Sequence, residues 1–219
     1  MKHAKRLARI INAITSRTDA DFVRSAEAYS SRAARIAGWS QLFHLAFFEA
    51  VAGELPAGGA ALVCGVYHGL DLSLLSYASD LHRRELAIYG VDLFDAGPCE
   101  DWTPEQRARG TWEANGFGRP PDLEVAAANA PRAIVIRSDS VAYLETTDAR
   151  FDFIYLDTSH DEATVTREIA AARRVLVPGG ILAGDDYWQP GAGWGVDAAV
   201  GAALPDHLII CNRIWISQL

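Results

Sequence analysis

The chain has 219 residues, half of them hydrophobic, which suffices for one sizeable core and is cramped for two. Its 20 Lys and Arg against 28 Asp and Glu give a formal charge of −8 with no basic cluster in the body of the chain, which argues against nucleic acid as a partner. Apolar stretches stop well short of the ~20 residues that cross a bilayer, and the three cysteines (Cys64, Cys99, Cys211) are too few and scattered for a disulfide framework or a zinc site, so no membrane partner and a reducing, cytoplasmic setting are expected.

The opening MKHAKRLARI is basic but lacks an apolar signal core, and Leu7, Ile10, Ile11 and Ile14 share one face of a helix. Phe22, Ala26 and Tyr29 continue at helical steps, and the apolar Trp39 to Val51 segment follows, so residues 1–54 read as a helical cap on a catalytic core spanning 55–219. Pro56 and the glycine pair Gly58-Gly59 break the helix. Short β-rich runs then alternate with helical patterns: Ala61 to Cys64, a helix to about Asp80, and Leu86 to Val91. A Gly-, Pro- and Trp-rich insertion comes next, in which Thr103-Pro104-Glu105-Gln106 carries a hydroxyl N-cap, a first-turn proline and a capping-box glutamine.

Ile134 to Ile136 and Phe151 to Leu156 are further buried strands. Ser159 and Glu162 have capping-box spacing before a helix with Val165, Ile169, Ala172 and Leu176 on one stripe and Pro178-Gly179-Gly180 as its stop. Ile181 to Ala183, a helix over Val196 to Ala203, and two strands, Leu208 to Cys211 and Arg213 to Ile216, complete the chain. The turn between that last pair is too short for a parallel connection, so the final strand must run antiparallel. The fold class is therefore α/β, a doubly wound and mostly parallel sheet.

In such a sheet ligands bind beyond the carboxyl ends of the strands. Five ends deliver small or acidic groups to that edge: Gly65 to Asp71, Asp92, Ser138-Asp139-Ser140, Asp157 to His160, and Asp185-Asp186. Plain structural roles compete at each. Asp92 can open a loop, Asp139 can make an Asx turn, Asp157 can cap a helix, and His160 can bond locally at a helix start. The first turn, Cys64-Gly65-Val66-Tyr67-His68-Gly69, does not supply the Gly-x-Gly-x-x-Gly that a nicotinamide-dependent oxidoreductase requires.

GVYHGLDLS, GVDLF, RSDS, FDFIYLDTSH and LVPGGILAGDDY, in this order and spacing, resemble the class I S-adenosylmethionine-dependent methyltransferases, and specifically the metal-dependent macrocin- and mycinamicin-type O-methyltransferases of sugars and natural products. The resemblance covers Ala60 to the C-terminus and implies a Rossmann-like seven-stranded sheet. It assigns Gly65, Tyr67 and Gly69 to the turn against the methionine part of the cofactor, Asp92 to its ribose, and Ser138, Asp139 and Ser140 to its adenine. Where the family has an acidic residue at the end of the first strand this sequence has Cys64; either Asp71 takes over that role or cofactor affinity is weakened.

Asp157, Asp185 and Asp186 are three hard oxygen donors suited to Mg²⁺ or another divalent cation. The resemblance puts the proton-accepting base at His160, Ser159 standing where other relatives have an aspartate; His68 is a weaker rival. The implied reaction is methylation of a hydroxyl on a small-molecule acceptor, and self-association of the chain is expected from the habit of such relatives. Tyr187, Trp188 and Trp194, among Gly191, Gly193 and Gly195, either close over the acceptor or serve as core or subunit contact. A metal-independent methyltransferase and a catalytically silent binding or assembly subunit are the competing readings.

Overall fold

The computed structural model describes residues 2–95, 97, 102–188 and 193–219, side chains 2–4 excepted. Cys99 and Gly191 therefore lie outside the described residues. Seven strands form one sheet in the order β3-β2-β1-β4-β5-β7-β6. The parallel strands are β1 (Ala60–Cys64), β2 (Ala87–Asp92), β3 (Ala133–Arg137), β4 (Phe151–Leu156) and β5 (Leu176–Gly184). β7 (Ile214–Gln218) runs antiparallel to both β5 and β6 (Leu208–Ile210), as the short final turn demands. Strand order reverses between β1 and β4, which opens a crevice at their carboxyl ends.

Helices cover both faces. On one, α1 (Lys2–Thr15), α3 (Leu42–Glu54) and α4 (Leu70–Leu81) share a core with the sheet. Helix α3 is apolar nearly all round, as a helix between two layers must be, and Phe47 and Phe48 pack against Phe153 and Tyr155 of β4. Ile10 of α1 is fully buried, with Leu7, Ile11 and Ile14 packed beside it. On the other face lie α7 (Ser140–Thr146), α8 (Glu162–Val175) and α9 (Val196–Ala203). Helix α2 (Asp19–Ala33) packs outside α3, and α5 (Pro104–Arg109) and α6 (Leu123–Asn129) belong to the segment between β2 and β3. No helix among the described residues is long and apolar enough to cross a membrane.

Several sequence expectations shift. The inward stripe of α2 is Ser25, Ala28 and Tyr29, while Phe22 is 57% exposed, because a buried Glu49 on α3 draws the Ser25 hydroxyl inward. The cap of α8 is Asp161, whose carboxylate accepts the Thr164 N–H at 2.9 Å, and not Ser159, whose hydroxyl instead bonds Asp161. Leu176 and Pro178-Gly179-Gly180 are not the end of that helix but the start of β5, with an irregular register against β4. Proline is tolerated there because it stands at the strand's irregular entry. The Thr103 to Gln106 capping box forms as expected.

Candidate functional site

The β-ladder aligns the strand ends. Asp157 N–H donates to Cys64 O at 2.8 Å, Gly65 N–H to Val91 O at 2.9 Å, and Asp185 N–H to Leu156 O at 3.1 Å. Gly65 is required by this convergence. With φ +88° and a Cβ that would stand 1.7 Å from Asp157 O, no other residue lets β1 turn so close to the end of β4. Gly69, at φ +89°, opens α4 against the Ala126 carbonyl in the same way.

Asp92 holds this turn from the end of β2. Its Oδ2 accepts the N–H groups of Val66 and Tyr67 at 2.7 and 2.8 Å, and Oδ1 accepts Phe94 N–H at 2.8 Å. The Tyr67 hydroxyl reaches the carbonyls of Arg119 (2.6 Å) and Phe117 (3.0 Å), and His68 Nε2 donates to Pro120 O at 2.8 Å. The segment between β2 and β3 is thereby tied to the glycine turn, with Trp39, Tyr67, Trp112 and Phe117 in ring contact. His68 is occupied in that tie.

Cys64 is fully buried in the apolar cluster beneath the site, where burial raises its thiol pKa well above normal, so its side chain does not face the crevice. Asp71 is also buried. It accepts the Ser40 hydroxyl at 2.5 Å, and burial raises its pKa against the opposing pull of His44 and Ser40. At the end of β3, Ser138 is partly buried and Asp139 is exposed and caps α7 through Ala142 N–H. Ser140 turns inward, where it and Thr158 both donate to the buried Glu168.

The acidic half gathers beside this turn. One ligand atom from each of Asp157, His160 and Asp186 lies within 4.8 Å of the others. His160 Nε2 stands 2.8 Å from Asp186 Oδ2, and the Trp194 indole lies flat over the imidazole with centroids 3.8 Å apart. Asp157 makes no hydrogen bond to a described side chain, and its pKa is driven well upward by burial and then by Asp185, Asp186 and Asp71. His160 pulls the other way and is outweighed.

Asp185 does not join the cluster. It points to α3 and to the turn before β7, where His44 Nε2 is 3.1 Å from Oδ2 and Arg213 Nε is 2.9 and 3.0 Å from its two oxygens. Burial pushes its pKa up, yet His44 and Arg213 outweigh that and the net shift is downward. Of the loop aromatics, Tyr187 bonds His207 at 2.9 Å, Trp188 is exposed, and Trp194 alone meets the cluster.

His44, Arg213 and Glu168 escaped the sequence reading. His44 and Glu49 carried a signal, as polar residues inside an otherwise apolar helix. Arg213 carried none, since its partner Asp185 stands 28 residues away in the chain.

A family model described as "Methyltransferase domain" matches residues 62–187, more than half of the chain. Solved structures of similar fold include the O-methyltransferase NovP, with 15% identity, 81% of this chain and 79% of that one covered, and a TM-score of 0.58. CalS11, a TDP-rhamnose 3'-O-methyltransferase of calicheamicin biosynthesis, has 16% identity, coverage of 98% and 93%, and a TM-score of 0.55. The O-methyltransferase TomG from Streptomyces achromogenes, solved with SAM, has 13% identity, coverage of 93% and 91%, and a TM-score of 0.53. A search among curated proteins gave no match.

Proposed function

The chain belongs to the methyltransferase-domain family, and from that premise we propose that it is an S-adenosylmethionine-dependent O-methyltransferase acting on a hydroxyl of a small molecule, a sugar or natural product, with help from a divalent cation. The observation that carries the reading is the meeting of Asp157, His160 and Asp186 beside the glycine turn at the carboxyl edge of the sheet. The O-methyltransferase neighbours are consistent with it.

The residues present fit both groups. The turn from Gly65 to Gly69 lets backbone approach a ligand closely, and Asp92, with three of its roughly four acceptor positions used by backbone, keeps capacity on Oδ1 for a ribose hydroxyl. S-adenosylmethionine supplies the electrophilic methyl group. Asp157 and Asp186 would hold the cation; Asp157 is crowded by burial and by Asp185 and Asp186, surroundings in which a bound cation would favour its ionised form. The ion supplies positive charge that favours an ionised acceptor oxygen.

The protein's own groups do the rest. His160, oriented by Asp186 and by the Trp194 ring, takes the hydroxyl proton. The Asp186 carboxylate, 2.8 Å from Nε2, would stabilise the imidazolium that forms. Trp194 walls the imidazole on one face and excludes water there.

The reading is tested by calorimetric titration with S-adenosylmethionine and S-adenosylhomocysteine, with and without Mg²⁺, followed by methyl-transfer assays on hydroxylated sugars and polyketides. Micromolar cofactor binding with cation-dependent turnover is expected. Absence of cofactor binding under every condition would replace the enzyme with a binding or assembly subunit, and cation-independent turnover would remove the metal.

A further inference from the structure

Two adjacent carboxylates at a strand end repel one another, and the fold must separate or compensate them. Here it does both. The left-handed backbone at Asp186, φ +58°, sends that side chain toward His160 while Asp185 points to α3. The Arg213 guanidinium spans the pair: Nε bonds both oxygens of Asp185, and a terminal nitrogen lies 2.8 Å from Asp186 Oδ1. Arg213 is held in place by its own carbonyl, which accepts Tyr187 N–H at 2.9 Å. His44 closes Asp185 from the other side. Its Nδ1 accepts Gln41 N–H at 2.7 Å, so Nε2 must carry the hydrogen that it donates to Asp185.

We infer that Arg213 is a built-in counter-cation that competes with a divalent metal ion for the Asp185-Asp186 pair: as a positioning residue it locks Asp185, together with His44, away from the crevice, and it shares Asp186 with the ion that Asp157 and Asp186 would hold. The inference rests on the cation-assisted reading above. A guanidinium bonded to both carboxylates occupies charge and lone pairs that an ion would otherwise use. Arg213 thus sets how tightly the site holds metal. Lysine, a point charge without the planar fork, cannot span both groups in the same way.

The test is Mn²⁺ titration of the full chain, followed by electron paramagnetic resonance of the free ion, for wild type, Arg213→Gln, Arg213→Lys and the double variant Arg213→Gln/Asp185→Asn. S-adenosylhomocysteine calorimetry and circular dichroism accompany each. R213Q is expected to bind Mn²⁺ at least about tenfold more tightly than wild type, because a positive charge leaves the site and Asp185 is released. Adding D185N should cancel most of that gain. R213K should show a smaller gain, and it carries the test if R213Q does not fold. Unchanged or weaker Mn²⁺ binding in the folded Arg213 variants, with wild type binding the ion, overturns the counter-cation alone. If neither wild type nor R213Q binds Mn²⁺ while S-adenosylhomocysteine still binds, the counter-cation and the cation-assisted reading fall together and the methyltransferase stands.

Discussion

The two halves of the crevice are built by different means. Around β1 and β2 the geometry is made by backbone: glycines at positive φ, and Asp92 pinned by three backbone N–H groups. Around β4 and β5 it is made by side chains from remote parts of the chain, with His44 lying 141 residues from Asp185. Backbone geometry is intolerant of change but chemically plain. Side-chain geometry is adjustable residue by residue, and on the proposed function it is there that acceptor and metal preference would be tuned without disturbing the glycine turn.

The largest break in that contrast should come from Gly65→Ala. Its methyl group would meet Asp157 O, so β1 or β4 must move, and we expect a loss of at least about 3 kcal/mol of stability together with loss of cofactor binding. Urea denaturation and calorimetry measure both; a stable G65A that binds S-adenosylhomocysteine normally would refute the backbone account. Asp186→Asn attacks the other half. It should reduce turnover at least about 100-fold while leaving S-adenosylhomocysteine affinity within about threefold. Equal losses in kcat and in cofactor affinity would show that the halves are not separable.

Legibility followed the same division. Strand ends, the glycine turn and Asp92 could be read because each is local: a strand, then a small or acidic residue where the chain must turn. The two capping predictions divide for a like reason. Thr103 had proline and glutamine at the right steps, whereas at Ser159 two candidate caps stood two residues apart and Asp161, the better acceptor, won. Leu176 matched the helical stripe, yet sheet pairing with Phe151 claimed it. Which aspartate of the Asp185-Asp186 pair faces the crevice was beyond reach, because Arg213 and His44 decide it from elsewhere in the chain.

Smaller changes sharpen the contrast. Tyr67→Phe removes the hydroxyl that ties the glycine turn to the carbonyls of Phe117 and Arg119, at a cost of about 1 kcal/mol, and should weaken S-adenosylhomocysteine binding about three- to fivefold in calorimetry. Unaltered affinity would mean that the segment between β2 and β3 is no part of the cofactor half. The smallest effect concerns Glu168, whose pKa is raised by burial against hydrogen bonds from Ser140 and Thr158. The folded state then holds this proton more tightly than the unfolded one. Stability therefore falls as pH rises from the unfolded value of about 4.3 toward the raised folded value. Glu168→Gln should abolish that fall, with denaturation midpoints that match wild type at the acid end and exceed it above. Parallel profiles would show that Glu168 titrates normally.

The stack of Trp194 on His160 gives the protein an optical handle. Among six tryptophans this indole lies 3.8 Å from an imidazole and stacks nearly parallel to it, at 9°. Imidazolium quenches indole emission, so the charge on His160 modulates the brightness of one identifiable ring. Arrival of a proton, an ion or an acceptor in that corner of the crevice would register as light, read without label and on the timescale of a stopped-flow mixing experiment, with Trp194→Phe as the dark reference.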